Sequence, residues 1–317
     1  MVINSSNLDA LFIAFSKVFS NAYMTTAAPL LENIGSRIPS NTRDQRYPIV
    51  QTISGAMRQW QGERRLENIV VDGFVVTNKL WENTIAIQRT EIEDDQYAVY
   101  SDMLIPNLAR HAKLLPDIQI AQAISDNATG FDGVAFFATN HPIDPSGQNT
   151  GTQSNIVTGC ALNATNLAIA QAQMMNLKGP DNIAMGSYGD TLLVPPSLQY
   201  VANTLANAQF FPEGKNNASS IFAAQSNVFQ GAYRVVVSPY IADTGDPTTA
   251  IWYLLDCRAP TMRPFFWQEM IAPQLVSMVD PANPIVFMQD KFVLGVRARG
   301  AAASALWFKA IQCKINS

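Results

Sequence analysis

The stretch from Ile69 to Glu93 constrains the fold more than any other part of the chain. Ile69-Val70-Val71-Asp72-Gly73-Phe74-Val75-Val76-Thr77 is rich in β-branched residues and reads as a strand. Asn78-Lys79 follows as a turn, with Asn suited to left-handed backbone angles. Trp81, Asn83, Ile85, Ile87 and Arg89 then alternate with Glu82, Thr84, Ala86 and Gln88. A period of two over this length makes a strand with two unlike faces. Two strands around a short turn predict a long β-hairpin. It is charged at its ends and only half apolar, so it can project from a body.

A helix start follows at once. Thr90-Glu91-Ile92-Glu93 has the pattern of a capping box, and Glu91, Glu93, Asp94 and Asp95 suit the positive end of a helix dipole. Tyr97, Tyr100, Leu104, Leu108 and His111 recur at spacings of three or four. Pro106 predicts a kink or an opened hydrogen bond in this run, and Pro116 predicts a second helical start over Asp117 to Ser125. At the N-terminus, Leu8, Leu11, Phe12, Phe15, Val18 and Phe19 have helical spacing. The pattern then thins through Pro29, Gly35, Pro39 and Asp44, which reads as an extended arm. Two readings of the first helix stand open: part of an arm, or a helix docked on its own domain.

Further along, Phe131 to Thr139 reads as a strand, and Asn163 as the cap of a helix through Leu167, Ala170, Met174 and Leu177. Thr191 to Val194 is a short strand, and Pro195-Pro196-Ser197 opens a helix to about Asn207. Val228 to Ser238, Ala250 to Asp256 and Met262 to Ile271 read as strands. Met288 to Lys314 gives one or two more. Helices and strands in this order predict an α+β protein without internal repeats.

Composition narrows the class. Of 317 residues 48% are hydrophobic and only 15% charged, against a usual charged share of about 25%. Such a chain hides much of its surface, as subunits of large oligomers do. A net charge of −4 excludes a basic nucleic-acid binder. Cys160, Cys257 and Cys313 form no CxxC and read as reduced thiols. The first residues lack a charged n-region, and no uncharged apolar run approaches the ~20 residues of a membrane span. The expectation is synthesis and folding in the cytoplasm, with no membrane contact.

Site chemistry is sparse. The Glu91, Glu93, Asp94, Asp95 group reads better as a capped, solvated helix end than as a cation site, because adjacent helical residues diverge. The histidines are His111 and His141. His141 has Asp132 and Asp144 near it in sequence, yet Gly186-Ser187-Tyr188-Gly189 lacks nucleophile-elbow spacing. No phosphate loop, dinucleotide motif or zinc spacing occurs. No catalytic residue, metal or cofactor is expected. Arg297 and Arg299 alternate on one strand face, where phosphate, a neighbouring carboxylate or solvent can meet them.

Met1-Val2-Ile3-Asn4 with Leu8-Asp9-Ala10-Leu11-Phe12 resembles the start of the Mu-like phage major head subunit. The likeness continues at Trp60, Gly62 and Arg64 and is closest at Trp81-Glu82-Asn83-Thr84, Ile92-Glu93-Asp94-Asp95 and Tyr97-Ala98-Val99-Tyr100. Asp132-Gly133-Val134-Ala135-Phe136-Phe137, Asn140-His141-Pro142 and Leu193-Val194-Pro195-Pro196 extend it in order over most of the chain, more weakly from about residue 210. The resemblance implies a Hong Kong 97-type capsid fold. Residues 1–60 are then an N-terminal arm, and 61–90 an extended β-hairpin loop lying across a neighbour. Residues 91–159 are a peripheral domain with a spine helix, 160–275 an axial domain, and 276–317 a return to the peripheral domain. It implies pentamers and hexamers closing into an icosahedral virion head around double-stranded DNA, assembled in the host bacterial cytoplasm. Portal, scaffold or decoration proteins would be partners, and the packaged DNA would be a neighbour by non-specific proximity only. Trp60, Arg64, Arg65, Trp81, Arg89, Glu91, Glu93 and Asp94 are expected at contacts between subunits, the charged ones on charge placement. An encapsulin-like cargo shell shares the fold. A hydrolase using His141 and a tail or adhesion module are the alternatives of other classes.

Overall fold

Leu8, Leu11, Phe12, Phe15 and Phe19 lie on one side of helix α1 (Ser5–Thr25) and are buried there, as their spacing of three and four requires. The computed structural model describes residues 5–50, 71–94, 99–144, 150–211, 225–278 and 284–315. After α1 come helix α2 (Pro29–Asn33) and strands β1 (Gly35–Pro39), β2 (Asp44–Val50), β3 (Val71–Thr77) and β4 (Lys79–Gln88). Helix α3 (Arg89–Glu93), a π-helical turn at Tyr100–Leu104 and the long helix α4 (Ile105–Asp126) follow. Three short strands, β5 (His141–Pro142), β6 (Thr152–Gln153) and β7 (Ile156–Thr158), lead to α5 (Ala164–Met175), β8 (Thr191–Val194) and α6 (Gln199–Asn207). Then come β9 (Phe210–Phe211), β10 (Gln225–Ser226), β11 (Arg234–Val237), β12 (Trp252–Leu255) and β13 (Phe265–Met278). Helix α7 (Pro284–Gln289), β14 (Lys291–Ser304) and β15 (Ala310–Lys314) complete the chain.

The expected hairpin is not formed by its two expected strands. β3 pairs antiparallel with β2, Tyr47 opposite Phe74, whereas β4 pairs antiparallel with β14, Ile87 opposite Phe292. Asn78 is therefore a hand-over between two sheets. Its backbone N–H donates to the Arg43 carbonyl at 2.8 Å, and its buried side-chain amide donates to Ser40 Oγ and the Thr42 carbonyl. Alternation along a strand fixes its faces but not its partner, so the Asp44–Val50 segment read as an arm was free to supply the ladder. Tyr47, Phe74 and Phe266 pack ring against ring, with centroids 4.9 to 5.9 Å apart, and seat the β2–β3 ribbon on the larger sheet.

Two sheets organise the rest. One has the order β1-β13-β14-β4, the other β11-β8-β12-β15-β7. In the first, Gly300 lies where an added Cβ would sit 2.5 Å from the Trp267 ring, so the strand needs glycine there. One core joins α1 and the first half of α4 (Ile105, Leu108, Ala109) to Phe292, Leu294 and Val296 of β14. The other surrounds the five-stranded sheet and takes Ile120, Ala121 and Ile124 from the second half of α4. The first helix is thus docked on its own chain. β13 enters the first sheet at Phe265, and β15 belongs to the second.

The two prolines act differently. Ile105 donates to the Tyr100 carbonyl, a π-type bond, so the hydrogen-bond ladder is widened in the turn just before Pro106. Pro116 sits inside α4 and starts no new helix, because buried Leu114 and Ile120 hold the chain on either side. Next to it, buried Asp117 accepts from the N–H groups of Leu30 and Leu31 at 3.0 and 2.8 Å, capping α2. The cap of α3 lies at Gln88, two residues before Thr90, with Glu91 accepting from the Gln88 N–H at 3.3 Å. Phe131 to Thr139 forms no strand. Gly133, at φ 77°, and an isolated Thr129–Ala135 bridge turn it, and Phe136 and Phe137 are held by packing.

Candidate assembly surfaces

Of the nominated contact residues, Trp60, Arg64 and Arg65 lie outside the described residues. Trp81 is half-buried; its Nε1–H donates to the Gly300 carbonyl at 2.9 Å. With Leu108, His111, Leu115 and Val296 it lines a cleft of about 270 Å³ between α4 and the sheet. Arg89, Glu91 and Glu93 come together within one chain. Arg89 Nε reaches Glu93 Oε1 at 3.1 Å, and a second guanidinium nitrogen lies 3.9 Å from Asp290. Glu91 accepts from the Tyr100 hydroxyl, and burial followed by that carboxylate pushes the hydroxyl up to about 12. Asp94 is exposed, and its backbone N–H donates to the Thr90 and Ile92 carbonyls. The charge of Arg89 is met inside its own subunit. The pair with Glu93 is local, four residues apart on α3, and the one with Asp290 joins α3 to the start of β14.

A more extensive surface is the face of the first sheet turned away from α1 and α4. Strand register puts Leu80, Ile271 and Arg299 side by side on it, then Glu82, Gln274 and Arg297, then Thr84, Val276 and Gly295. The β2–β3 ribbon covers its Phe266, Ala301 and Ala303 end. Towards β14's start the face is open, with Leu80 61%, Val276 48% and Met278 37% exposed. The even positions of β4 carried a readable signal for it. The 271–278 part of β13 did not, because Pro273 argues against a strand. The proline is tolerated since β1 pairs β13 only from Phe265 to Glu269, leaving the later part an edge.

His141 is fully buried. Its Nδ1 lies 2.6 Å from Asp132 Oδ2, its ring stacks on Trp307 at 4.0 Å, and its Nε2 has no partner among the described residues. A ring sealed in this way cannot exchange a proton with a substrate, so the hydrolase alternative has no working base. The histidine pins the 131–141 loop to β15's approach. Cys160, Cys257 and Cys313 are free and buried. Among the described residues no helix is long and apolar enough to cross a membrane, and no three His, Cys, Asp or Glu side chains converge on a metal position.

The sequence model of the Mu-like prophage major head subunit family, gpT, matches residues 8–162, 158–241 and 234–316. The chain belongs to this family. The head subunit is 26% identical over 300 residues to the Mu-like prophage FluMu major head subunit of Haemophilus influenzae, covering 94% of this chain and 70% of the relative. It is 22% identical over 316 residues to the major capsid protein of Escherichia phage Mu, covering 99% and 75%. Its fold is similar to a chain in the procapsid of bacteriophage JBD30, with a TM-score of 0.59 and 22% identity over 98% of this chain and 76% of that one. The architecture is the Hong Kong 97-type capsid fold. A major head subunit is a structural protein of the phage particle and not an enzyme.

Proposed function

We propose that copies of this head subunit close as rings of five and six into an icosahedral shell around double-stranded DNA. The observation that carries this reading is the open, half-apolar sheet face beside a ribbon seated on it by three aromatic rings. Exposed apolar side chains gathered on one face mark a protein contact, and many such contacts summed favour the assembled state by mass action. In this reading the β2–β3 ribbon belongs to the extended loop, α4 is the spine helix, and the four-stranded sheet belongs to the peripheral domain. The five-stranded sheet with α5 and α6 is the axial domain. Portal, scaffold and decoration proteins are its partners, assembly takes place in the host cytoplasm, and DNA is near without specific contact. Electron microscopy of the purified protein tests the reading: closed icosahedral particles support it, and a persistent monomer counts against it. A second test concerns Arg64 and Arg65, which we propose contact a neighbour. Reversal of both to Glu lowers particle yield while the subunit keeps its melting profile, and normal shells from that variant would sink the assignment.

A further inference from the structure

Arg297 and Arg299 are cations on the open, half-apolar face of the first sheet. Both project from β14 on the face away from α1 and α4, flanked across the strands by Glu82, Gln274, Leu80 and Ile271. Neither has an ion-pair partner among the described residues. Glu82, the nearest carboxylate in the ladder, accepts instead from the Thr84 hydroxyl at 2.5 Å. Exposed Leu80 lies opposite Arg299, and exposed Val276 lies one row along from Arg297. Guanidinium groups are weakly hydrated and present a planar fork of donors, so they suit an interface that carries carboxylates.

The same sheet has an end of opposite sign. Where β4 enters α3 and α7 enters β14, the carboxylates of Glu91, Glu93, Asp94 and Asp290 outnumber the cations of Arg89 and Lys291. At about 3.4 Å per residue, that end lies about 24 Å along β14 from Arg297. Its own acidic end therefore cannot reach the arginine pair, and another copy's can. Two unlike patches on one chain make a head-to-tail contact, which closes into rings when the rotation permits.

We propose that the sheet face centred on Arg297 and Arg299 receives the acidic α3 end, around Glu93 and Asp94, of a second copy of this chain. The assignment rests on the shell reading and adds to it the partner surface. The surface Arg89–Glu93 pair is worth about 0–1 kcal/mol, and Asp94 beside it is exposed.

The full chain is compared with R297E/R299E, with E93R/D94R, and with all four substitutions together. Particle yield is read by sedimentation velocity and negative-stain electron microscopy, and subunit fold by circular dichroism melting. Each double variant is expected to lose at least about tenfold in particle yield with a native melt. The fourfold variant, its charges exchanged across the contact, recovers most of that yield. Wild-type yields from either double variant, or no recovery in a natively folded fourfold variant, overturn the inference and leave the shell reading standing. A wild-type chain that forms no particles overturns the shell reading and the inference with it. Should R297E/R299E fail to fold, E93R/D94R alone decides, because both of its positions are exposed on a helix end.

Discussion

Asp117 shows how much one buried side chain settles. Its carboxylate joins α4 to α2 through the N–H groups of Leu30 and Leu31, across more than eighty residues of sequence. Asp117→Ala strands those donors inside the fold and costs about 1–3 kcal/mol, measured by urea unfolding of unassembled subunits. Burial raises the carboxyl above its ordinary value, and the two backbone bonds only partly oppose that. Between the unfolded value and the raised folded one, the native state binds more protons than the unfolded chain. Stability from this group is fully present below the unfolded value and is lost as pH rises through the folded one. Asp117→Asn removes that slope, so its unfolding midpoint varies less with pH across the window. Parallel profiles for the two proteins would show that the slope comes from elsewhere. Neither Asp117 nor the buried His141–Asp132 pair was readable as a fixed contact, since each depends on segments brought together by packing.

At the scale of elements, local chemistry was legible and pairing was not. The helical stripe of Leu8 to Phe19, the Asn163 cap, which accepts from the Asn166 N–H at 2.8 Å, and the Thr191–Val194 strand all stand where their residues place them. The alternation from Trp81 to Gln88 gave a strand with two faces, but its mate was β14, more than two hundred residues away. Ladder partners are chosen by burial of both faces, which a single strand does not encode. The β2–β3 ribbon illustrates the energetic side. It rests on the larger sheet through a small satellite cluster around Phe266, Val76 and Ala301. Phe266→Ala removes about 3 kcal/mol from that seat. Amides of 44–50 and 71–77 then exchange roughly a hundredfold faster, while those of α4 stay as slow as before. Uniform acceleration across the chain would mean that the ribbon is not a separate unit.

For the whole molecule, sparse charge and abundant apolar residues pointed to hidden surface, and the open sheet face is where the fold leaves some of it uncovered. Ordered likeness along the chain supplied the lineage, which composition could not. The two cores share α4, so neither loses its packing without stripping a face that the other also needs. Unassembled subunits are expected to melt in one transition, with calorimetric and van't Hoff enthalpies in agreement. Two resolved transitions would separate the lobes. The shared helix also has a mechanical meaning. Its 22 residues form a rod about 33 Å long, clamped near each end by a different core. Torque applied at one lobe is delivered to the other without slack, so pressure from within a filled particle loads the subunit as a single stiff lever.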